Sequence, residues 1–220
     1  MTPSSRAILF DLDGTLIATR RLYMEALADA LEPALGVRWT EDDIMRHRPR
    51  AERRFLRDQV EPHQAPAVYE RFYESYERRH ETAFQGIYPG VSQMLAELRS
   101  AGLPPGLVTG KSRRAWSITA ARVHLGDFTV AVFDDDVPAP KPDPAGLLLA
   151  AERLGVEPGL AVYVGDSLAD LEAARRAGMA SIGVLWSKKP HEVEPFRQTG
   201  RELGARIAAH PNEVPVLVRG

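Results

Sequence analysis

Two hydropathy patterns take turns along most of this chain. Short apolar runs bounded by turn residues fall at residues 6–10 (RAILF), 106–109 (GLVT), 129–133 (TVAVF), 160–164 (LAVYV) and 180–185 (ASIGVL), and each reads as a buried strand. Between them, apolar positions recur at helical spacing. Val91, Met94, Leu95 and Leu98 share one face that stops at Ala101-Gly102. Further amphipathic stretches cover residues 112–125, 147–154 and 168–177, the last with Gly178 placed as its C-cap. Strand–helix–strand alternation predicts an α/β fold, a doubly wound parallel sheet with helices on both faces.

One segment breaks the alternation. From about residue 17 to 84 the signals are helical, with no convincing strand. Leu22, Ala26, Leu27 and Leu31 share a face ending at Gly36, and Thr40-Glu41-Asp42-Asp43 resembles a capping box with Asp in the place of Glu or Gln. Val68, Phe72, Tyr73 and Tyr76 form an aromatic stripe at helical spacing, read as core packing. Residues 1–16 and 85–220 are therefore expected to build the α/β core, and 17–84 an inserted all-helical domain. The charged, proline-punctuated tail from Trp186 is expected to add a last strand and a short helix around residues 205–218, without chemistry of its own.

Composition narrows the function. The 220 residues are 44% apolar and 26% charged, enough for a sizeable core. Lys and Arg number 28 against 30 for Asp and Glu, so no basic footprint for nucleic acid appears, nor a polybasic membrane segment. The absence of cysteine excludes disulfides, thiolate metal sites and a cysteine nucleophile. No apolar run approaches the roughly 20 residues that span a bilayer, and the N-terminus lacks a signal-peptide layout. The expectation is a cytoplasmic protein, monomer or homodimer, with no nucleic-acid or membrane partner.

The candidate chemistry sits at strand ends. Asp11 and Asp13, two apart, project to the same side just beyond the first strand, and Gly14 permits the sharp turn that follows. Ligands in open α/β sheets bind outside the carboxyl ends of the strands, and two acids there need a cation or a shared proton to offset their repulsion. A calcium loop is excluded, because its glycine falls at the sixth position and here it is the fourth. After the second strand, Thr109-Gly110-Lys111-Ser112 sets a hydroxyl and a basic residue at the mouth of a helix, where phosphate binds well. After the fourth come Gly165-Asp166-Ser167 and Asp170. Lys141 lies between, fenced by Pro140 and Pro142. Singly, Thr109 and Asp166 read as helix caps and Lys141 as a surface loop residue; the ordered conjunction is what carries the argument.

That set resembles the haloacid dehalogenase superfamily, through DLDGTL at residues 11–16, Thr109, Lys141 and GDSLAD at residues 165–170, and within it the phosphoglycolate-phosphatase-like hydrolases with a helical cap. The resemblance implies that Asp11 attacks phosphorus to give an aspartyl phosphate, and that Asp13 protonates the leaving alkoxide and then activates water. It implies Mg²⁺ held by Asp11, the Asp13 carbonyl and Asp166 with Asp170 behind them, and a phosphoryl group held by Thr109, Gly110 and Lys141. Dehalogenases of the superfamily lack an acid at the position of Asp13, which favours phosphoryl transfer. Many relatives carry Asn where Gly110 stands, so an amide donor is lost. The implied substrate is a small phosphomonoester of the phosphoglycolate kind. A phosphomutase of the β-phosphoglucomutase type, a pyrophosphatase and a nucleotidase are the alternatives on this fold, and a phospho-acceptor signalling or interaction module is the alternative of another class.

In the basic, proline-broken stretch at residues 46–54, Arg50 is the candidate contact to a second anionic group, against the plainer reading of a solvated positive face. Asp134-Asp135-Asp136 tempts a second metal site, which is rejected for want of a matching ligand set, and the six histidines show no metal spacing.

Overall fold

The computed structural model describes residues 7–47, 49 and 51–219. Arg50 lies outside the described residues. The chain begins with β1 (Ala7–Phe10), and helices α1 (Arg20–Leu35), α2 (Glu41–Arg46), α3 (Glu52–Asp58) and α4 (Ala65–Ala83) follow in succession. Alternation then resumes with α5 (Val91–Ser100), β2 (Pro105–Val108), α6 (Arg113–Ala120), β3 (Ala131–Val132), α7 (Ala145–Leu154), β4 (Ala161–Gly165), α8 (Leu168–Ala177) and β5 (Ala180–Val184). The chain closes with α9 (Pro190–Glu202), β6 (Arg206–Ala208) and α10 (Val214–Arg219).

The strands form one six-stranded sheet in the order β3-β2-β1-β4-β5-β6, parallel at every pairing. Both faces are covered, which is why the strands read as apolar runs. Ile8 and Phe10 point to the face shared with Val91, Leu95 and Leu98 of α5 and with Val214 and Val218 of α10. Ala7 and Leu9 point to the other, against Leu147 and Ala150 of α7 and Ala173 and Ala174 of α8. The chain leaves β1 towards β2 and β3, then returns on the opposite side as β4. This reversal opens a crevice at the carboxyl ends of β1 and β4, where such sheets bind ligands.

The four helices between β1 and α5 share an apolar cluster that also takes in Ala115 of α6. Leu22, Leu27 and Leu31 of α1 are fully buried against Phe72 and Tyr76 of α4, and each such side chain contributes about 1.5–3 kcal/mol. Asp29 ties the two helices at their rim, accepting from Arg79 Nε at 2.5 Å and from Ser75. Thr40 and Asp43 form the expected capping box. The entering and leaving segments pair with each other, Ala18 N donating to Gly86 O at 2.8 Å and Gln85 N to Ala18 O at 3.1 Å. These helices thus rise from the sheet on a two-stranded neck beside Asp11 and Asp13.

Three details depart from expectation. Helix α6 ends at Ala120, not near Leu125, because Arg99 Nη2 holds the Leu125 carbonyl at 2.7 Å and Leu125 turns into the core. At the sheet edge only Ala131–Val132 of the third run is regular strand. Helix α9 was not foreseen in the tail: only Phe196 and Gly200 are buried along it, too thin a stripe to stand out among charged residues. The anticipated last strand and short helix are β6 and α10.

Candidate active site

Asp11 follows β1 directly, its N–H donating to the Val164 carbonyl of β4 at 2.9 Å. Its carboxylate is buried and faces two others. Oxygens of Asp11, Asp166 and Asp170 lie within 4.8 Å of one another. At that separation two charged carboxylates repel by about 3–4 kcal/mol for an effective dielectric of about 20. Two glycines make the approach possible. A Cβ on Gly14, whose φ is +83°, would sit 2.5 Å from Asp166 Oδ2, and a Cβ on Gly165 would sit 2.5 Å from Asp170 Cβ. Asp170 is fixed in turn by a reciprocal cap with Ser167, its Oδ2 accepting from Ser167 N at 2.9 Å and from Ser167 Oγ at 2.6 Å.

Lys141 reaches into this cluster. Its Nζ lies 2.7 Å from Asp11 Oδ1, 2.5 Å from Asp170 Oδ1 and 2.8 Å from the Tyr163 hydroxyl. Tyr163 is a buried strand residue whose hydroxyl donates to the Val108 carbonyl at 2.7 Å. On the far side Lys188 Nζ sits 2.8 Å from Asp166 Oδ2, with Ser187 Oγ at 3.2 Å.

The charges respond to this crowding. Burial pushes Asp11 up to about 8, Lys141 opposing and Asp170 and Asp166 reinforcing the shift. Asp166 is also raised, by burial first and by Asp170, against Lys188. For Asp170 burial is outweighed by Lys141 and Ser167, and its carboxyl is lowered. Lys141 is held well above the usual range, because Asp11 and Asp170 overcome the cost of its burial. Burial and two neighbouring carboxylates thus work against the charged form of Asp11, and the positive charge of Lys141 does not fully offset them. The three-carboxylate, all-oxygen donor set fits a hard divalent cation that would supply further positive charge.

Asp13 faces away from that cluster, towards the helices. Its Oδ1 accepts from Thr19 Oγ1 at 2.5 Å and its Oδ2 lies 3.2 Å from Lys111 Nζ. Lys111, read from sequence as a basic neighbour at a helix mouth, is a fully buried cation. It donates to the Tyr76 hydroxyl at 2.9 Å and lies over the Tyr76 ring at 4.6 Å. Burial pulls it down, but Asp13, Tyr76 and Glu52 together hold it above the ordinary lysine value. The aromatic stripe of α4 is thus more than packing, since Tyr76 meets Lys111 and Tyr73 donates to Ser112 Oγ at 3.1 Å.

Thr109 and Gly110 line one small cavity together with Lys141. Thr109 Oγ1 accepts from Lys111 N at 3.2 Å, and Ser112 caps α6 through Ala115 N. The structure thus brings Asp11, Asp13, Thr109, Gly110, Lys141, Asp166 and Asp170 to one sheet edge. The acidic run 134–136 has other partners. Asp134 pairs with Arg54 at 2.9 Å, Asp135 accepts from Arg113 N at 2.6 Å, and Asp136 accepts from Phe133 N at 2.9 Å.

Sequence reasoning missed Tyr163, Lys188 and the burial of Lys111. A tyrosine inside a buried strand was a usable signal, because its hydroxyl must find a partner. Lys188, in a charged tail, offered none.

A doubly wound sheet with acids and a lysine gathered at its switch point has counterparts among known proteins. The family model for haloacid dehalogenase-like hydrolases matches residues 5–178, and the chain belongs to that family. It is 35% identical over 197 residues to the phosphoglycolate phosphatase of Xylella fastidiosa, covering 87% of this chain and 85% of the other. It is 33% identical over 198 residues to the pyrophosphatase PpaX of Bacillus velezensis, covering 83% and 84%. Among solved structures, CbbY from Rhodobacter sphaeroides in complex with phosphate superposes with a TM-score of 0.76 at 27% identity, covering 95% of this chain and 96% of that one.

Proposed function

We propose that this protein is a Mg²⁺-dependent phosphatase of small phosphomonoesters, with Asp11 as nucleophile. The observation that carries the reading is the charge balance at one sheet edge. Carboxylates of Asp11, Asp13, Asp166 and Asp170, with Glu52 beyond Lys111, outnumber the ammonium groups of Lys111, Lys141 and Lys188. A divalent cation would offset that excess of negative charge beside the incoming phosphate. Asp11, Asp166 and the Asp13 main chain would hold the ion with Asp170 behind them; the ion supplies charge neutralisation for the phosphoryl oxygens.

This chain's own groups do the rest. Asp11 attacks phosphorus, the P–O bond to the leaving group breaks, and Asp13 gives its proton to the departing alkoxide oxygen. Asp13 then takes a proton from the water that attacks the aspartyl phosphate, releasing inorganic phosphate and restoring Asp11. Thr109, the Gly110 main chain and Lys141 hold the equatorial oxygens as charge develops. The helices of residues 17–84 act as the cap that excludes bulk water. A substrate of the phosphoglycolate class is favoured by the identity to the Xylella fastidiosa enzyme, and pyrophosphate is the second reading, favoured by the likeness to PpaX.

The test is release of inorganic phosphate across a panel of phosphoglycolate, sugar phosphates, nucleoside monophosphates and pyrophosphate, with Mg²⁺ and with chelator. Metal-dependent release from a small phosphomonoester supports the reading. Isomer formation without net release, or no turnover of any phosphate compound, contradicts it.

A further inference from the structure

Helix α3 carries two residues, two positions apart, that hold the two loops supplying the candidate phosphate ligands. Glu52 is 1% exposed and its Oε1 accepts from Ser112 N at 2.7 Å, at the end of the 109–112 loop. Its Oε2 accepts from the Tyr23 hydroxyl at 3.2 Å. Arg54 spends its guanidinium on the other loop. Nε lies 2.9 Å and 3.0 Å from the two Asp134 oxygens, Nη1 donates to Pro138 O at 2.8 Å, and Nη2 to Val137 O at 2.7 Å and Asp134 O at 3.5 Å. Every nitrogen of the fork thus meets one five-residue stretch.

The path from that stretch to the reacting centre is short and stiff. Lys141 follows Pro138 by Ala139 and Pro140 alone, and proline restricts both its own φ and the residue before it. The two loops are also joined, Asp134 N donating to Lys111 O at 3.2 Å. A planar fork gripping a carboxylate and three carbonyls fixes orientation as well as distance.

We infer that Glu52 and Arg54 are positioning residues, through which α3 seats the Thr109 and Lys141 loops for phosphoryl transfer. Neither touches the reacting atoms. Through these contacts the pair holds the phosphate cradle in place from α3. The role rests on the phosphatase reading above.

Arg54→Ala is the decisive variant, because Arg54 is partly exposed and its loss leaves the helical core intact. Amide hydrogen exchange across residues 133–141, measured without substrate, should accelerate in Arg54→Ala while the strand amides stay protected. In turnover, kcat should fall about 10- to 100-fold, the cost of misplacing a catalytic group by about 1 Å. KM should stay near wild type, the thermal midpoint should fall because the buried Asp134 loses its partner, and added guanidinium ion should restore part of the rate. Glu52→Gln, which still presents a carbonyl oxygen to Ser112 N, should retain most activity, whereas Glu52→Ala should not. Unchanged exchange across 133–141 in Arg54→Ala overturns the inference, as does a wild-type kcat. An inactive wild-type protein sinks the phosphatase reading instead, and the exchange result then decides this inference by itself.

Discussion

Lys141 Nζ stands 2.7 Å from Asp11 Oδ1, although 130 positions separate the two residues in sequence. Their meeting depends on loops that leave β1 and β3, on either side of β2, at the same sheet edge, and on Tyr163 and Asp170 holding the ammonium from behind. The lysine is the main counter-charge to a carboxylate that burial pushes up to about 8. Nucleophile and cation are therefore one electrostatic unit.

Replacing Lys141 by Met should accordingly lower kcat about 100- to 1,000-fold, the usual cost of losing one preorganised donor to developing charge. Steady-state phosphate release checks it. A variant within about threefold of wild type would remove Lys141 from the mechanism.

Gly14→Ala should weaken divalent-ion binding and destabilise the fold together. Its φ of +83° costs a side chain about 1–2 kcal/mol, and the new Cβ would displace the Asp166 carboxylate 2.5 Å away. Titration with Mn²⁺ followed by its paramagnetic signal reads the first effect, and urea denaturation without metal reads the second. Wild-type ion affinity in this variant would mean that Asp166 is not a ligand.

The strand-end acids were readable from the sequence because apolar runs ending in turn residues put Asp11 and Asp166 at the carboxyl edge of the sheet. Asp13, past the end of β1, turns instead to Thr19 and Lys111 and not to the same side as Asp11. Lys141 was readable through its prolines. What escaped were residues whose roles depend on packing between distant segments. Lys111 reads from sequence as a basic residue at a helix mouth suited to phosphate, yet it is enclosed by Tyr76, Tyr23 and Asp13. The basic stretch at 46–54 drew attention to Arg50, while Glu52 and Arg54 in the same stretch make the contacts to the sheet-edge loops. Charge in a sequence signals a partner without saying whether that partner is water, substrate or the protein itself.

Tyr76→Phe tests the enclosure of Lys111. The variant keeps the ring beneath the ammonium but removes the hydroxyl 2.9 Å from it. Loss of a hydrogen bond to a buried charge costs about 1.5–3 kcal/mol, to be read from the urea midpoint. No change in stability would show that the ring alone suffices.

His80 gives stability a definite pH dependence. Burial, then Arg122 and Lys111, hold its imidazole down at about 4, against 6.5 when free. Between these values the unfolded chain binds a proton that the folded chain does not, so stability present above the free value is lost as pH falls through the window. The urea midpoint of wild type should drop more steeply from about pH 7 to about pH 5 than that of His80→Phe, which lacks the titrating group. Parallel profiles for the two proteins would contradict this.

The central claim, that Asp11 becomes covalently phosphorylated, is tested most directly by acid-quenching the enzyme during turnover and mapping the phosphoryl adduct by mass spectrometry. The account predicts an adduct on the peptide bearing Asp11 in wild type, and no adduct and no turnover in a folded Asp11→Asn variant. Sustained turnover by Asp11→Asn, or an adduct on another residue, would contradict it.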